Sequence, residues 1–226
     1  MKAMILAAGL GSRMRPLTNH LPKPLLSVGG KPLIVWHLER LKRNSFQDIV
    51  INIAWLGHKI PELLGSGEQF GLSIKYSDEQ SEAQLETGGG IIKALPLLGD
   101  EPFLVVSGDI WCDYEFTPVS PLQGDDLGHL VLVDNPPHHP DGDFLLEAGR
   151  VYGAGDSQLT YGGIAYFHPD LFKQRQHGKQ AIAPIMREAM LDKLISGEHH
   201  KGVWQDIGTP ERLAELDCSL RSQNIA

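Results

Sequence analysis

Residues 3–24 constrain this chain more than any other stretch. The apolar run Ala3-Met-Ile-Leu-Ala-Ala8 passes directly into Gly9-Leu-Gly-Ser-Arg-Met-Arg-Pro-Leu-Thr18, and Pro22-Lys-Pro24 closes the segment. A short apolar run ended by glycine reads as a strand that gives way to a loop whose backbone a ligand can approach closely. Backbone N–H groups of Gly9 to Ser12 can converge there on anionic oxygens, and Arg13, Arg15 and Lys23 add cations whose charge water screens less inside a cleft. The ligand expected from this pattern is a polyphosphate. Two common phosphate loops are excluded: both G-x-x-x-x-G-K-[ST] and G-x-G-x-x-G, counted from Gly9, meet Met14 where a glycine belongs.

The charge distribution points the same way. The chain has a net charge of −8, yet residues 1–43 hold eight basic residues against Glu39 alone, leaving 12 basic and 27 acidic residues in the remainder. A local positive region in an acidic chain suits a small anionic ligand, and it argues against nucleic acid, whose backbone wants a broad basic face. No run approaches the ~18 apolar residues of a membrane span, and the N-terminus lacks a signal-peptide pattern, so no membrane partner and a cytoplasmic location are expected. Cys112 and Cys218 stand far apart with no C-x-x-C, which suggests neither a disulfide framework nor a zinc site.

Taken in order, the chain alternates strand and helix over one domain, residues 1–226. Pro32 reads as a first-turn residue of a helix running to about Arg43, with Trp36 and His37 as packing residues. Asp48 to Ala54 reads as a strand, Lys59 to Leu64 as a helix and Leu72 to Tyr76 as a strand, the alternation of a parallel sheet covered by helices. Gly88-Gly-Gly90 ends a polar passage and is expected just before a helix, where its N–H groups and a flat ring could meet; a surface turn is the alternative. Phe103 to Asp109 reads as a buried strand that places a carboxylate beside the Gly9 loop, because ligands of open α/β sheets bind beyond the carboxyl ends of the strands. Further strands are expected at His129 to Val133 and Leu159 to Phe167. A hairpin is expected over Phe144 to Tyr152, on the substrate side, and an amphipathic helix over Ala181 to Ile195. His138-His139 and His199-His200 are not framed by carboxylates or cysteines in sequence and are read as unlinked to any metal.

The motif G-x-G-S/T-R-x-x-P-x-T followed by P-K-P resembles the signature of the sugar-1-phosphate nucleotidylyltransferases. The resemblance extends to Ser107-Gly-Asp109, to Tyr161-Gly-Gly-Ile164, and to Trp204-Gln-Asp-Ile-Gly-Thr-Pro-Glu-Arg-Leu213. It implies a Rossmann-like nucleotidyltransferase fold, with a mixed, mostly parallel sheet flanked by helices and a small hairpin insertion on the sugar side. It also implies Mg²⁺ as cofactor, held by Asp109 and Asp206. Ala8, Gly9, Leu10, Gly11, Ser12, Arg13, Lys23, Thr87 and Gly88 would bind the nucleotide, and Gly108, Gly142, Tyr161 and Gly163 the sugar. Arg13, Lys23, Asp109 and Asp206 would be the catalytic set. Two departures stand out: Glu86 occupies a position where the family usually has glycine, and the V-E-K-P lysine that holds the sugar phosphate in many relatives is not found.

Compact length and loop sequences look most like the branch that uridylylates N-acetylmuramate 1-phosphate in cell-wall recycling. The implied reaction is in-line attack by a sugar-1-phosphate oxygen on the α-phosphorus of UTP, with pyrophosphate as leaving group and no general base required. Guanylyl or thymidylyl transfer to another sugar 1-phosphate is an alternative, and so is a non-catalytic nucleotide-sugar sensor. Arg15 either contacts the triphosphate or forms a surface ion pair.

Overall fold

The computed structural model describes residues 1–82 and 84–223. Strand β1 (Lys2–Leu6) leads through short 3-10 turns at Ser12–Met14 and Lys23–Leu25 into the two-residue strands β2 (Ser27–Val28) and β3 (Lys31–Pro32). Helix α1 (Leu33–Arg43), β4 (Asp48–Ile53), α2 (Lys59–Leu64), β5 (Ser73–Asp78), α3 (Glu86–Leu98), β6 (Phe103–Ser107) and β7 (Ile110–Cys112) follow. The second part comprises β8 (Gly128–Val133), the hairpin β9 (Leu145–Glu147) and β10 (Arg150–Tyr152), β11 (Thr160–Phe167), α4 (Ile182–Leu191), β12 (Ile195–His200), β13 (Trp204–Asp206) and α5 (Pro210–Gln223).

Among the described residues, nine strands form one sheet in the order β5-β4-β1-β6-β11-β8-β12-β10-β9. The first four are parallel, β11 runs antiparallel to both β6 and β8, and β12 returns parallel to β8. Alternation along β1 explains why helices cover both faces. Ala3 and Ile5 pack with Ile34, Leu38 and Leu41 of α1 and Ile60 of α2, whereas Met4 packs with Ile91 and Leu98 of α3 and Met186 of α4. A third cluster ties the chain's end to its beginning: Ile207, Leu213, Leu216 and Leu220 pack on Met14, Leu26, Val28 and Leu33. Asp217 of α5 also accepts a hydrogen bond from the Gly29 N–H at 2.7 Å. The glycine-rich loop is thereby clamped from behind by the last helix.

The mixed, helix-flanked sheet expected from the sequence is present, and the expected hairpin forms the edge of the half that carries β11. Three local expectations are corrected. Pro32 is the residue before α1 rather than inside it. The helix expected over Ala181 to Ile195 stops at Leu191; Ile195 opens strand β12, whose Ser-Gly-Glu-His-His sequence carries little apolar signal but pairs with β8 along its whole length. Gly88, Gly89 and Gly90 lie within α3, not ahead of it. Close packing explains them: an added Cβ would fall 2.8 Å from the Gln180 carbonyl at Gly88, 2.2 Å from the Gly178 carbonyl at Gly89, and 2.9 Å from Asn52 Nδ2 at Gly90.

Candidate active site

A cavity of about 520 Å³ opens beyond the carboxyl ends of β1, β4, β5 and β6. Its floor and walls come from the loop after β1, from Asn52 and Glu79 at the ends of neighbouring strands, from Glu82 and residues 84–87, and from Ser107 to Asp109. Of the residues expected to bind nucleotide, Ala8, Gly9, Leu10, Lys23 and Thr87 line it, as do Gly108 and Asp109. Gly11, Ser12 and Arg13 continue the loop beside the cavity. Gly11 holds φ at +59°, and a Cβ there would lie 2.9 Å from Thr18 Cγ2, while the buried Thr18 hydroxyl donates to the Gly11 carbonyl at 2.7 Å. Arg13 and Arg15 are exposed, and neither forms an ion pair among the described residues.

Lys23 is placed by its neighbours. Pro22 is extended and Pro24 is the second residue of the 3-10 turn that Lys23 opens, so the lysine backbone has little freedom between two fixed φ angles. Its ammonium reaches Asp109 Oδ2 at 2.7 Å; the lysine side chain is 10% exposed but the aspartate 46%, so the pair is open to a ligand from the carboxylate side. Gly108 makes this approach possible, because a Cβ there would sit 2.6 Å from the Leu6 carbonyl, and its N–H donates to that same carbonyl at 2.9 Å.

Asp206 arrives from the other end of the sequence. Strand β13 pairs antiparallel with β7, setting Asp206 opposite Ile110, and the Ile207 N–H donates to the Asp109 carbonyl at 2.7 Å. Asp109, in the turn that enters β7, and Asp206, at the end of β13, are thus brought to neighbouring backbone although 97 positions apart in sequence. Each meets a cation, Lys23 at Asp109 and Arg212 at Asp206, and His138 Nε2 also stands against Asp206. Of the expected sugar residues, Gly108 lines the cavity, whereas Gly142, Tyr161 and Gly163 lie outside its lining. Gly163, with φ +71°, forms the bulge of β11 directly behind Ser107, where a Cβ would meet Ser107 Oγ at 2.7 Å. Tyr161 is half-buried; burial and then Asp143 push its hydroxyl up from the ordinary tyrosine value, and its N–H donates to Asp143 Oδ2 at 2.8 Å. Gly142, with φ +67°, packs on Gln158 and Asn135 in the same turn.

Sequence reasoning missed four residues at the site. Asn52 accepts from the Ala7 N–H at 2.7 Å and donates to Glu79 Oε1 at 2.8 Å, so a buried relay fixes the start of the glycine loop. Burial raises the Glu79 carboxyl above the usual range. Asn52 was visible as the one amide in the apolar run Ile49-Val-Ile-Asn-Ile53. His138 and Arg212 left no local signal, because their meeting depends on the return of the chain. Glu86 lines the cavity with φ +58°, so the backbone shape that glycine would supply is kept with a side chain in place.

Residues 2–125 match the family model described as Nucleotidyl transferase, and the chain belongs to that family. It is 51% identical over 226 aligned positions, covering 96% of this chain and 97% of the relative, to the N-acetylmuramate alpha-1-phosphate uridylyltransferase of Neisseria meningitidis serogroup B. It is 35% identical to the enzyme of the same name from Caulobacter vibrioides, with 96% of each chain covered. Among solved structures, a Bacillus anthracis chain put forward as a glucose-1-phosphate thymidylyltransferase and crystallised with sucrose shares the fold, with a TM-score of 0.84 over 98% of this chain and 95% of that one at 22% identity.

Proposed function

We propose that residues 1–226 form one nucleotidyltransferase unit that transfers the uridylyl group of UTP to a sugar 1-phosphate, with N-acetylmuramate α-1-phosphate as acceptor and UDP-sugar and pyrophosphate as products. The observation that carries the reaction class is the convergence of Lys23, Asp109 and the Asp206 strand at one end of the sheet. The 51% identity to an enzyme named for this acceptor supports the choice of substrates. The reaction belongs to the cytoplasm and to recycling of cell-wall amino sugar; no described helix is long and apolar enough to cross a membrane.

A phosphate monoester dianion is already nucleophilic, so the protein's task is alignment and charge neutralisation. One oxygen of the sugar phosphate forms a bond to the α-phosphorus of UTP as the bond between that phosphorus and the α,β-bridging oxygen breaks and pyrophosphate leaves with that oxygen. The Gly9–Ser12 loop, Arg13 and the relay through Asn52 hold the triphosphate from the backbone side, with Thr87 and Gly88 at the base end. Lys23, nearly buried, moves from Asp109 to the phosphoryl oxygens when these enter, because a buried ammonium needs an anion at all times. The donor set at Asp109 and Asp206 is all oxygen, and each carboxylate keeps one oxygen without a partner among the described residues, which suits Mg²⁺. When bound there, that ion would supply charge neutralisation at the phosphates.

The test is pyrophosphate release from UTP, dTTP, CTP, GTP and ATP, each paired with the α-1-phosphates of N-acetylmuramate, N-acetylglucosamine, glucose and mannose, with Mg²⁺ present and absent. Fastest release with UTP and N-acetylmuramate 1-phosphate, lost without Mg²⁺, is the expected result. Release with another pair would replace the substrates and keep the mechanism, and tight nucleotide binding without release from any pair would leave a sensor.

A further inference from the structure

Two phosphate-bearing substrates cannot meet unless both sets of charges are neutralised, yet only one buried cation, Lys23, lines the described cavity. On the other side of the carboxylate pair the structure holds a second cationic group. Arg212, on α5, lies back across the Gly208 turn, and its side chain is only 16% exposed. A Cβ on Gly208 would fall 2.3 Å from Arg212 Nη2, so the glycine leaves the room this course requires. The Nη1 group meets Asp206 Oδ1, and His138 Nε2 stands 2.7 Å from that Nη1 and 3.0 Å from the same Asp206 oxygen.

His138 comes from a turn 68 residues from Asp206, and that turn is built. Asn135 Nδ2 donates to the carbonyls of Pro140 and Gln158, both at 2.9 Å, and Asp143 accepts the Tyr161 N–H. Bracing Asp206 alone would use one donor of the guanidinium. Arg212 has five, and its Nη2 and Nε make no hydrogen bond among the described residues although the side chain is largely out of water. A largely buried arginine whose spare donors, in a planar fork, still reach solvent matches a phosphate, which it can grip with two parallel bonds.

We propose that Arg212, with His138 beside it, binds the phosphate of the acceptor, a phosphomonoester on the anomeric carbon of a sugar. The assignment rests on the reaction class above and supplies the cation for which no lysine was found in the sequence. Nη1 stays on Asp206 while Nη2 and Nε take the phosphate, so the acceptor's phosphate is delivered next to the carboxylates without displacing either.

Arg212→Met, Arg212→Lys and His138→Gln in the full chain test this. Steady-state kinetics give KM for UTP and for the sugar 1-phosphate separately, Mn²⁺ binding to the enzyme–UTP complex by electron paramagnetic resonance reads the state of the carboxylates, and thermal melting reports folding. Arg212→Met should raise KM for the sugar 1-phosphate roughly 10- to 100-fold, the loss typical of a charge-assisted pair, with KM for UTP and Mn²⁺ affinity within about twofold of wild type. Arg212→Lys and His138→Gln should show smaller rises in the same constant. Weakened Mn²⁺ binding and lowered kcat with an unchanged sugar 1-phosphate KM would overturn the proposal and make Arg212 a brace for Asp206. If Arg212→Met does not fold, unchanged KM in the other two variants overturns it equally. Should the wild type prefer a different sugar 1-phosphate, the same comparison runs with that acceptor. Should it turn over none, the reaction class fails separately, and calorimetric titration with inorganic phosphate decides: equal affinity in wild type and Arg212→Met sinks the phosphate site, whereas a tenfold loss sustains it.

Discussion

The two halves of the site are built on different physical terms. On the proposed nucleotide side, β1, β4, β5 and β6 are parallel, and groups withdrawn from water stand at or near their ends: the Ala7–Asn52–Glu79 relay, the Lys23 ammonium on the more open Asp109, and the buried His37. On the proposed sugar side, β7, β11, β13 and α5 converge from distant parts of the chain, and their polar groups meet as pairs with at least one partly exposed partner, His138 with Asp206, His139 with Asp143 and His200 with Asp113, around the more deeply set Arg212. Buried polar groups in a low-dielectric setting enforce one geometry because leaving any of them unpaired is expensive. Partly exposed pairs contribute little to stability and can exchange partners. The contrast fits a site that holds a triphosphate in a fixed cradle and admits a second substrate beside it.

The sharpest way to break this comparison is at Lys23. As the nearly buried cation of the fixed half, it should be indispensable, and Lys23→Ala should lower kcat roughly 10²- to 10³-fold, about 2.7–4 kcal/mol, in line with removal of one preorganised charge donor. Stopped assays of pyrophosphate release under saturating substrates measure it, and turnover near wild type would move the essential charge elsewhere.

His37 tests whether the fixed half is held by buried neutral groups. Burial, then the nearby Arg40 charge, lowers its pKa from 6.5 to about 4, against the opposing influence of Asp109 and the Ile110 backbone, and neither ring nitrogen has a hydrogen-bond partner. The folded state therefore holds the ring neutral where the unfolded chain would protonate it. Stability from this source is complete above pH 6.5 and is lost as pH falls toward 4, by up to about 3 kcal/mol. Urea unfolding of wild type and His37→Leu at pH 7.5 and pH 4.5 should show a steeper acid loss in the wild type. Parallel losses in both proteins would remove His37 from the acid response.

Gly89 joins the halves. Its N–H donates to the Gln180 carbonyl at 3.0 Å, Gln180 in turn donates to the Leu85 carbonyl at 2.9 Å, and the Gly178 carbonyl leaves no space for a side chain. The obstacle is backbone, so it cannot swing aside, and Gly89→Ala should destabilise by roughly 1–3 kcal/mol, seen as a fall of several degrees in Tm. An unchanged Tm would mean that the joint yields and that the halves are less firmly coupled than their packing implies.

Legibility in the sequence follows the same division. Gly9 to Ser12, Lys23 and the strand ending at Asp109 lie in short runs whose local pattern already carries strand, turn and charge, so the nucleotide side could be read in order. Asp206 was found only through its Trp-x-Asp-Ile-Gly-Thr-Pro setting. Strand β12 went unanticipated, with only Ile195 falling in the expected helix, because Ser196-Gly-Glu-His-His200 has the alternation of neither element; its partner β8 holds it in the sheet. His138 and Arg212 are separated by 74 residues, and nothing local to either one marks the contact. Long-range pairing, not residue type, is what the sequence hid.

The smallest expected effect bears on the one residue of the nucleotide side that departs from its neighbours' logic. Glu86 lines the cavity in the left-handed region, φ +58°, which disfavours an L side chain by about 1 kcal/mol, and its carboxylate meets Lys179 at 3.1 Å. The pair is partly exposed and offsets only a few tenths of that strain. Glu86→Gly should therefore be neutral to stabilising by up to about 1 kcal/mol, less the extra freedom glycine gives the unfolded chain, and should raise Tm by at most a few degrees. A fall in Tm would mean that the Glu86–Lys179 contact holds the cavity wall to residues 178–181 more strongly than an exposed ion pair ordinarily does. The fixed half would then depend, at its base end, on the same kind of pairing as the sugar half.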